Sequence, residues 1–189
     1  MATDPRQKLL DAAMAYVAEH GFGDASLRQL AAGIGTSHRM LIYHFGSKEA
    51  LQVAIIQAVE DRTRATVTEL VSDTDDSDAD AMREVWKVLT ARENEGFERL
   101  FFELYGQALQ QRPGTERLLG GIVDDWLEPM TQVQMAKGRS RREAKAEVRL
   151  GVAVTRGLLL DLLATGDRRG VNDAFERYIR LAEADLDEG

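Results

Sequence analysis

The chain has 189 residues, no cysteine, 44% hydrophobic residues and a formal net charge of −8 at pH 7. This apolar content is sufficient for a folded core, whereas the lack of cysteine excludes disulfides, thiolate metal sites and cysteine nucleophiles. Three prolines and many Ala, Leu, Glu, Arg and Gln residues favour helices, so we predict an all-α fold. Neither a secretory signal nor a long uncharged apolar segment is recognisable, so we expect a soluble cytoplasmic protein without membrane association.

The negative charge is distributed unevenly along the chain. Residues 1–64 contain seven Lys and Arg against seven Asp and Glu, so the acidic excess lies in the remainder. Because nucleic-acid binding depends on local charge, the acidic net charge does not exclude a DNA partner for the N-terminal part.

Two helices are predicted in the first 34 residues. Asp4-Pro5 is typical of a helix start, and apolar residues then recur at helical spacing until His20-Gly21. A second short helix, at about 26–33, begins with Ser26 and Gln29 in the spacing of a capping box, in which each side chain satisfies a backbone N–H group.

A third helix follows after a tight turn. Gly35 lies in the turn, Thr36 or Ser37 can cap the new helix, and Gly46 ends it. Ser47 then opens a fourth helix whose apolar pattern continues to about residue 72, which is long enough to connect two modules.

The remainder predicts five more helices, at about 79–92, 94–112, 115–136, 140–166 and 172–187. The aspartate-rich segment 72–81 is most simply a solvated loop or helix start. A metal site there is the minor alternative, because the EF-hand pattern lacks its glycine and its closing glutamate. The basic cluster 137–149 contains a capping box and mixed charges, which favours a solvated helix start over a second nucleic-acid patch.

The second and third helices have the arrangement of a helix-turn-helix, in which the second helix of the pair enters the DNA major groove. Leu41 and Phe45 are four residues apart and would face the interior of the small domain. His38, Arg39, Ile42 and Tyr43 would then face outward. Arg39 suits guanine, His38 suits a base edge, and Met40 or Ile42 suits a thymine methyl. The complete set of candidate DNA contacts is Ser26, Arg28, Thr36, Ser37, His38, Arg39, Met40, Ile42, Tyr43, His44 and Lys48, of which Ser37, Tyr43, His44 and Lys48 suit phosphate.

The sequence SLRQLAAGIGTSHRMLIYHFGSKEAL resembles the DNA-binding signature of the TetR family of transcriptional regulators over about 60 residues. The resemblance implies an N-terminal helix-turn-helix domain, residues 1–46, and a helical domain for effector binding and dimerisation, residues 47–189. The pattern is kept by Ser26, Leu30, Ala31, Gly35, Ser37, Leu41, His44, Phe45, Lys48, Glu49 and Leu51.

The chain departs from the family pattern at two positions of the third helix. Arg39 stands where the family often has Gly or Pro, and Ile42 stands where a tyrosine commonly precedes Tyr43. Ile42 has no hydroxyl for a phosphate, so that one contact is in doubt, whereas Arg39 is a candidate source of sequence preference.

Two further surfaces are expected in the C-terminal part. A helical cavity lined by aromatic and methionine side chains would hold a small apolar effector, and its candidates are Trp86, Phe97, Phe101, Tyr105, Trp126 and Met130. The last two helices are apolar around more than one face, so we expect them to form a homodimer interface through Val154, Leu158, Leu162, Phe175, Tyr178 and Ile179. The alternatives are that the aromatic residues only form core and that both helices are internal.

The sequence therefore predicts a homodimeric, ligand-responsive regulator, most simply a repressor, that binds a palindromic operator in double-stranded DNA without a cofactor or metal. An enzyme is the main alternative, but no phosphate-binding glycine loop, H-E-x-x-H motif or nucleophile elbow is present. A helical interaction protein that has lost DNA binding is the third possibility. In that case, alanine at Arg39 and Lys48 would leave its activity intact.

Overall fold

The computed structural model describes residues 4–22, 26–72 and 77–187, with side chains up to residue 184. The predicted all-α fold is confirmed, since the described residues form nine α-helices, one short 3₁₀ turn at 92–94 and no strand. The helices are α1 Pro5–His20, α2 Leu27–Gly33, α3 His38–Phe45, α4 Lys48–Ser72, α5 Asp78–Leu89, α6 Glu95–Leu109, α7 Asp124–Ala136, α8 Arg141–Thr165 and α9 Arg168–Asp187. None of these described helices is long and apolar enough to cross a membrane.

The predicted helix starts agree with the structure because their caps are local. The Asp4 carboxylate accepts a hydrogen bond from the backbone N–H of Arg6 at 3.0 Å and so caps α1. Reciprocal capping boxes open α2 at Ser26 and α8 at Ser140, as their sequence spacing predicted. These bonds satisfy N–H groups that would otherwise be unpaired at a helix N-terminus.

One predicted helix, at 115–136, is wrong in its first half. Residues 113–123 form turns, and α7 begins only at Asp124. The side chain of Thr115 folds back to donate to the carbonyl oxygen of Arg112 at 2.7 Å, and Gly120-Gly121 interrupts the segment. Both features favour turns. A threonine hydroxyl that bonds to the local backbone competes with helical hydrogen bonding, and consecutive glycines lose the most backbone freedom on entering a helix.

The chain divides into two compact units. The first contains residues 1–62 and 92–121, and the second contains residues 63–91 and 122–189. The predicted functional division at residue 46 stays a prediction, because compactness describes packing and not function. Residues 73–76 of the aspartate-rich segment lie outside the described residues, so the solvated-loop prediction and its metal-site alternative remain predictions.

The first unit packs α1 against α2 and α6, and α2 against α3. Its core contains Val17 of α1, Leu30 of α2 and Leu41 of α3, all of which are buried. Gly33 lies so close to the ring of Tyr16 that an added Cβ would be 2.3 Å from a ring carbon. A larger residue at this position would therefore push the end of α2 away from α1.

The second unit packs α7 against α8 and α9 against both α5 and α8. Trp86 stacks on Phe175 with ring centroids 4.5 Å apart, and its indole N–H donates to Asn172 Oδ1 at 2.9 Å. Trp126 is buried with Met130 and Val67 in a second cluster. Both tryptophans of the chain therefore belong to the interior of this unit.

Candidate DNA-binding surface

The turn between α2 and α3 is fixed by backbone geometry and by a cap. Gly35 has φ +70°, a left-handed conformation that glycine adopts without the steric cost paid by other residues. Two residues later, the Ser37 hydroxyl accepts a hydrogen bond from the backbone N–H of Met40 at 3.2 Å. Of the two predicted caps, Ser37 is thus the one that starts α3, and its own hydroxyl is engaged at the helix end.

The two faces of α3 differ as predicted. Leu41 is 1% exposed and Phe45 is also buried. These two side chains pack α3 onto the rest of the first unit. Tyr43 is 79% exposed, an unusual exposure for a large aromatic side chain. The side chains on the outward face that are exposed to solvent are Ser37, His38, Arg39, Met40, Ile42 and Tyr43.

The neighbouring candidates surround this face with different degrees of exposure. Ser26 and Arg28 at the start of α2 are exposed, whereas Thr36, His44 and Lys48 are half-buried. None of the eleven predicted DNA contacts is buried, so every one of them has side-chain surface open to solvent. Contact of these residues with DNA itself stays a prediction.

Two cationic side chains at this surface lie over aromatic rings. The Lys48 ammonium lies 5.3 Å from the ring centroid of Phe22, and the Arg6 guanidinium lies 4.9 Å from that of Phe45. Attraction between a cation and a ring face orients the side chain and leaves its charge uncompensated by an acid. Among the described residues, neither cation forms an ion pair with a carboxylate, so both remain electrostatically available to an anion.

Arg6 is a residue of this surface that sequence reasoning missed. Its contact joins the beginning of α1 to the end of α3, and no local pattern connects these two positions. The cap at Asp4 places Arg6 in the first turn of α1, but only the tertiary packing shows which ring it covers.

The predicted effector-binding residues are divided between the two units. Phe97, Phe101 and Tyr105 lie on α6 in the first unit, where Phe97 and Phe101 are buried. Trp86, Trp126 and Met130 are buried in the second unit. All six therefore have packing roles inside their own units, and an effector-binding role stays a prediction.

Two of the predicted dimer-interface residues on α9 lie in the interior of the second unit. Phe175 and Ile179 are buried there, and their role in a dimer stays a prediction. Val154, Leu158, Leu162 and Tyr178 are half-buried. The apolar side of α8 that faces solvent is instead a stripe that sequence reasoning missed, formed by Ala146, Leu150, Ala153, Gly157, Leu160 and Ala164.

The stripe has a regular spacing of four and three residues, which places its members along one line of a helix. Leu150 is 57% exposed and Leu160 is 50% exposed. An added Cβ at Gly157 would meet nothing within 4 Å, so the surface is open at its centre. The pattern of small residues with two leucines is typical of a helix that another helix approaches closely.

Comparison with known proteins places this geometry in a family. Residues 9–55 match the model of the bacterial regulatory proteins of the tetR family, and this segment includes α2, the turn, all of α3 and the first turns of α4. Residues 9–55 are thus an N-terminal domain of the TetR family. This match confirms the resemblance that the sequence predicted, and the matched family is one of bacterial regulatory proteins.

An individual relative agrees with this match. The HTH-type transcriptional repressor AcnR of Corynebacterium efficiens is 38% identical over 64 residues, which cover 34% of this chain and 34% of AcnR. The match thus spans about a third of the length of this curated relative.

Solved structures extend the likeness to nearly the whole chain. The multidrug binding protein EbrR, complexed with imidazole, is 27% identical with a TM-score of 0.65, and the match covers 94% of this chain and 90% of that one. A TetR transcriptional regulator from Legionella pneumophila has a TM-score of 0.70 with 19% identity, over 96% of this chain and 98% of that one. At this lower identity the second likeness concerns the fold alone.

Proposed function

We propose that this protein is a transcriptional repressor that binds a palindromic operator as a homodimer and responds to a small-molecule effector. The observation that carries the proposal is the outward face of α3, which is solvent-exposed and includes the polar side chains of His38, Arg39 and Tyr43. Leu41 and Phe45 on the opposite face hold the helix on its domain. A helix presented in this way fits the DNA major groove. The relative AcnR is itself described as a transcriptional repressor, which supports the repressor role.

In the proposed complex, base recognition and phosphate binding fall to different residues. Arg39 and His38 occupy the first turn of α3, the part of a recognition helix that contacts base edges. The guanidinium of Arg39 can donate two hydrogen bonds to N7 and O6 of guanine. Lys48 has no such pairing geometry, but its ammonium and the N-terminus of α4 both attract a phosphate.

This division of roles is tested with three variants. The probe is a fragment of the encoding genome that the purified protein retains, and a random duplex of the same length measures nonspecific binding. Arg39→Ala is expected to cost about 1–3 kcal/mol on the fragment and little on the random duplex, since base contacts supply the specificity. Arg62→Ala is the matched control, because Arg62 lies on α4 outside the predicted DNA contacts and its guanidinium pairs with Asp11 at 2.9 Å. Equal affinities for Arg39→Ala and the wild type would refute base recognition by this helix.

Lys48→Ala tests the phosphate contact by its salt dependence. Each neutralised phosphate contributes a slope of about −0.9 in log affinity against log salt. The variant is expected to bind both duplexes more weakly and with a slope smaller by about one unit, whereas Arg39→Ala changes mainly the preference between the duplexes. An unchanged slope would remove Lys48 from the contact surface.

The proposed homodimer uses the solvent-facing stripe of α8 in place of the interior residues of α9. Two copies of the stripe can pack across a twofold axis, because Ala and Gly permit close approach while Leu150 and Leu160 supply apolar area. Twofold symmetry then gives two recognition helices, which fit half-sites about 34–36 Å apart, or a multiple of that spacing.

Effector response is proposed from the composition of the second unit and from a relative. EbrR is described as a multidrug binding protein, and this chain has buried aromatic and methionine side chains of the kind that line such sites. An effector that prefers an operator-incompetent conformation by about 2–3 kcal/mol would weaken operator binding about 30- to 150-fold. Screening small apolar compounds for release of the captured fragment tests this step, and a panel that leaves affinity unchanged would count against it.

A further inference from the structure

A segment far from α3 in sequence lies directly against the beginning of α4. Residues 112–118, which follow α6, bring Gly114 so close to the first turn of α4 that an added Cβ would be 2.9 Å from Glu49 Cβ and 3.5 Å from Ser47 Oγ. Gly114 also has φ +88°. The glycine is thus required twice, once for its left-handed backbone and once for the absence of a side chain.

The 112–118 segment is held firmly on both sides of Gly114. On one side, the backbone N–H of Arg112 donates to the carbonyl oxygen of Gln107 at 3.1 Å, which ties the segment to the end of α6. On the other side, Thr115 is fully buried and donates its hydroxyl to the carbonyl oxygen of Arg112 at 2.7 Å, and Leu118 is buried as well. A group added at Gly114 therefore meets a segment that cannot easily retreat.

Of the two segments in this contact, the first turn of α4 is the one that would move. Residues 47–50 are half-buried, whereas Leu51 and Ile55 just beyond them are fully buried. The bonds that fix this turn are local: the backbone N–H of Ala50 donates to Ser47 Oγ at 3.0 Å, and that of Leu51 donates to the Ser47 carbonyl oxygen at 3.1 Å. Pressure from Gly114 would consequently displace residues 47–50 before it displaces the rest of the helix.

The turn that would move is the one that carries Lys48, and it directly follows Gly46, where α3 ends. We infer that Gly114 is a positioning residue for DNA binding, because the 112–118 segment supports the first turn of α4 so that Lys48 and the helix N-terminus meet a phosphate. The inference rests on the proposed function. It adds to the DNA-binding machinery a residue outside the segment 9–55 that matches the family model.

A pair of glycine substitutions separates this positioning role from simple backbone strain. Gly138 has φ +97°, close to the value at Gly114, but an added Cβ there would meet nothing within 4 Å. Gly114→Ala and Gly138→Ala both place alanine in a left-handed backbone, so both are expected to lower the melting temperature. Only Gly114→Ala also presses on α4.

The binding assay uses a random-sequence duplex of about 30 base pairs, long enough for two half-sites, together with the captured genomic fragment. Gly114→Ala is expected to bind both duplexes about tenfold more weakly, the effect of losing one charge-assisted contact, with a salt slope smaller by about 0.9. Gly138→Ala is expected to bind as the wild type does.

A compensating change tests the contact itself. Glu49→Gly removes the Cβ that an alanine at position 114 would meet, so Gly114→Ala combined with Glu49→Gly is expected to bind as tightly as Glu49→Gly alone. If Gly114→Ala does not fold, Gly114→Asn takes its place, since asparagine tolerates a left-handed backbone better and carries the same Cβ.

Equal affinities and salt slopes for the Gly114 and Gly138 variants would overturn the inference, as would a double variant that stays weak beside a tight Glu49→Gly. Failure of the proposed function looks different. In that case the wild type binds neither duplex with a salt-dependent affinity, and Arg39→Ala changes nothing.

Discussion

Leu160 provides a direct test of the proposed dimer surface. Half of its side chain is exposed in the isolated subunit, on the stripe at the solvent face of α8. Complete burial of a leucine side chain stabilises by about 1.5–3 kcal/mol, so burial of the exposed half against a partner contributes about 1 kcal/mol. A twofold-symmetric dimer buries Leu160 of both subunits, so truncation removes this contribution twice. The cavity that each truncation leaves further weakens dimerisation.

Leu160→Ala is therefore expected to weaken dimerisation by about 2–4 kcal/mol, which raises the dissociation constant by a factor of about 30 to 1,000. Sedimentation analysis over a range of protein concentrations measures this constant. Leu109→Ala is the matched control, because Leu109 is 64% exposed at the end of α6 and lies outside the stripe. A wild type that remains monomeric, or two variants that dimerise alike, would refute the proposed use of this surface.

The remaining predictions concern local features of α8 and of the wider assembly. Gly157→Ala is expected to stabilise the isolated subunit by about 0.5–1 kcal/mol in urea unfolding at low concentration, because alanine is the better helix former and its Cβ meets nothing. The Ser140 hydroxyl and backbone N–H lower the pKa of Glu143, so this capping contribution is present above the carboxyl's ordinary range and is lost as pH falls through the lowered value. Ser140→Ala is expected to move that pKa back upward in an NMR titration, and an unmoved value would contradict the assignment. Operator binding by wild-type protein is expected to fall at protein concentrations below the dimer dissociation constant, which a titration at fixed DNA measures.

The parts of the fold that follow from neighbouring residues could be predicted from the sequence. Ser26 with Gln29, and Ser140 with Glu143, define helix starts within four residues, and the structure contains both capping boxes. The segment 115–123 could not be predicted in the same way. Its apolar residues Leu118 and Ile122 are four apart and therefore indicate a helix, yet both are buried by a series of turns.

The faces of α3 could be predicted because the helix is short and has only one apolar side. Leu41 and Phe45 fix the inward direction, and the exposed residues follow from helical periodicity. On α8 the same method was ambiguous, since apolar residues occupy most of the circumference. Tertiary packing alone decides that Leu159 is buried while Leu160 is exposed.

Contacts between distant parts of the chain were beyond sequence reasoning. Neither Arg6 over the ring of Phe45 nor Gly114 against Glu49 has a local signature. The division of the aromatic residues between the two units has the same origin, since α6 packs with α1 although it follows α5 in the chain.

The placement of both tryptophans in the second unit gives the protein an intrinsic optical reporter. Trp86 and Trp126 are buried there, and the first unit contains none, so indole emission arises only from the unit that does not carry α3. A shift in the wavelength or intensity of that emission when operator duplex is added would show, without any label, that DNA binding to the first unit changes the surroundings of the indoles in the second unit. An emission spectrum insensitive to DNA would mean that the indole surroundings do not respond to it.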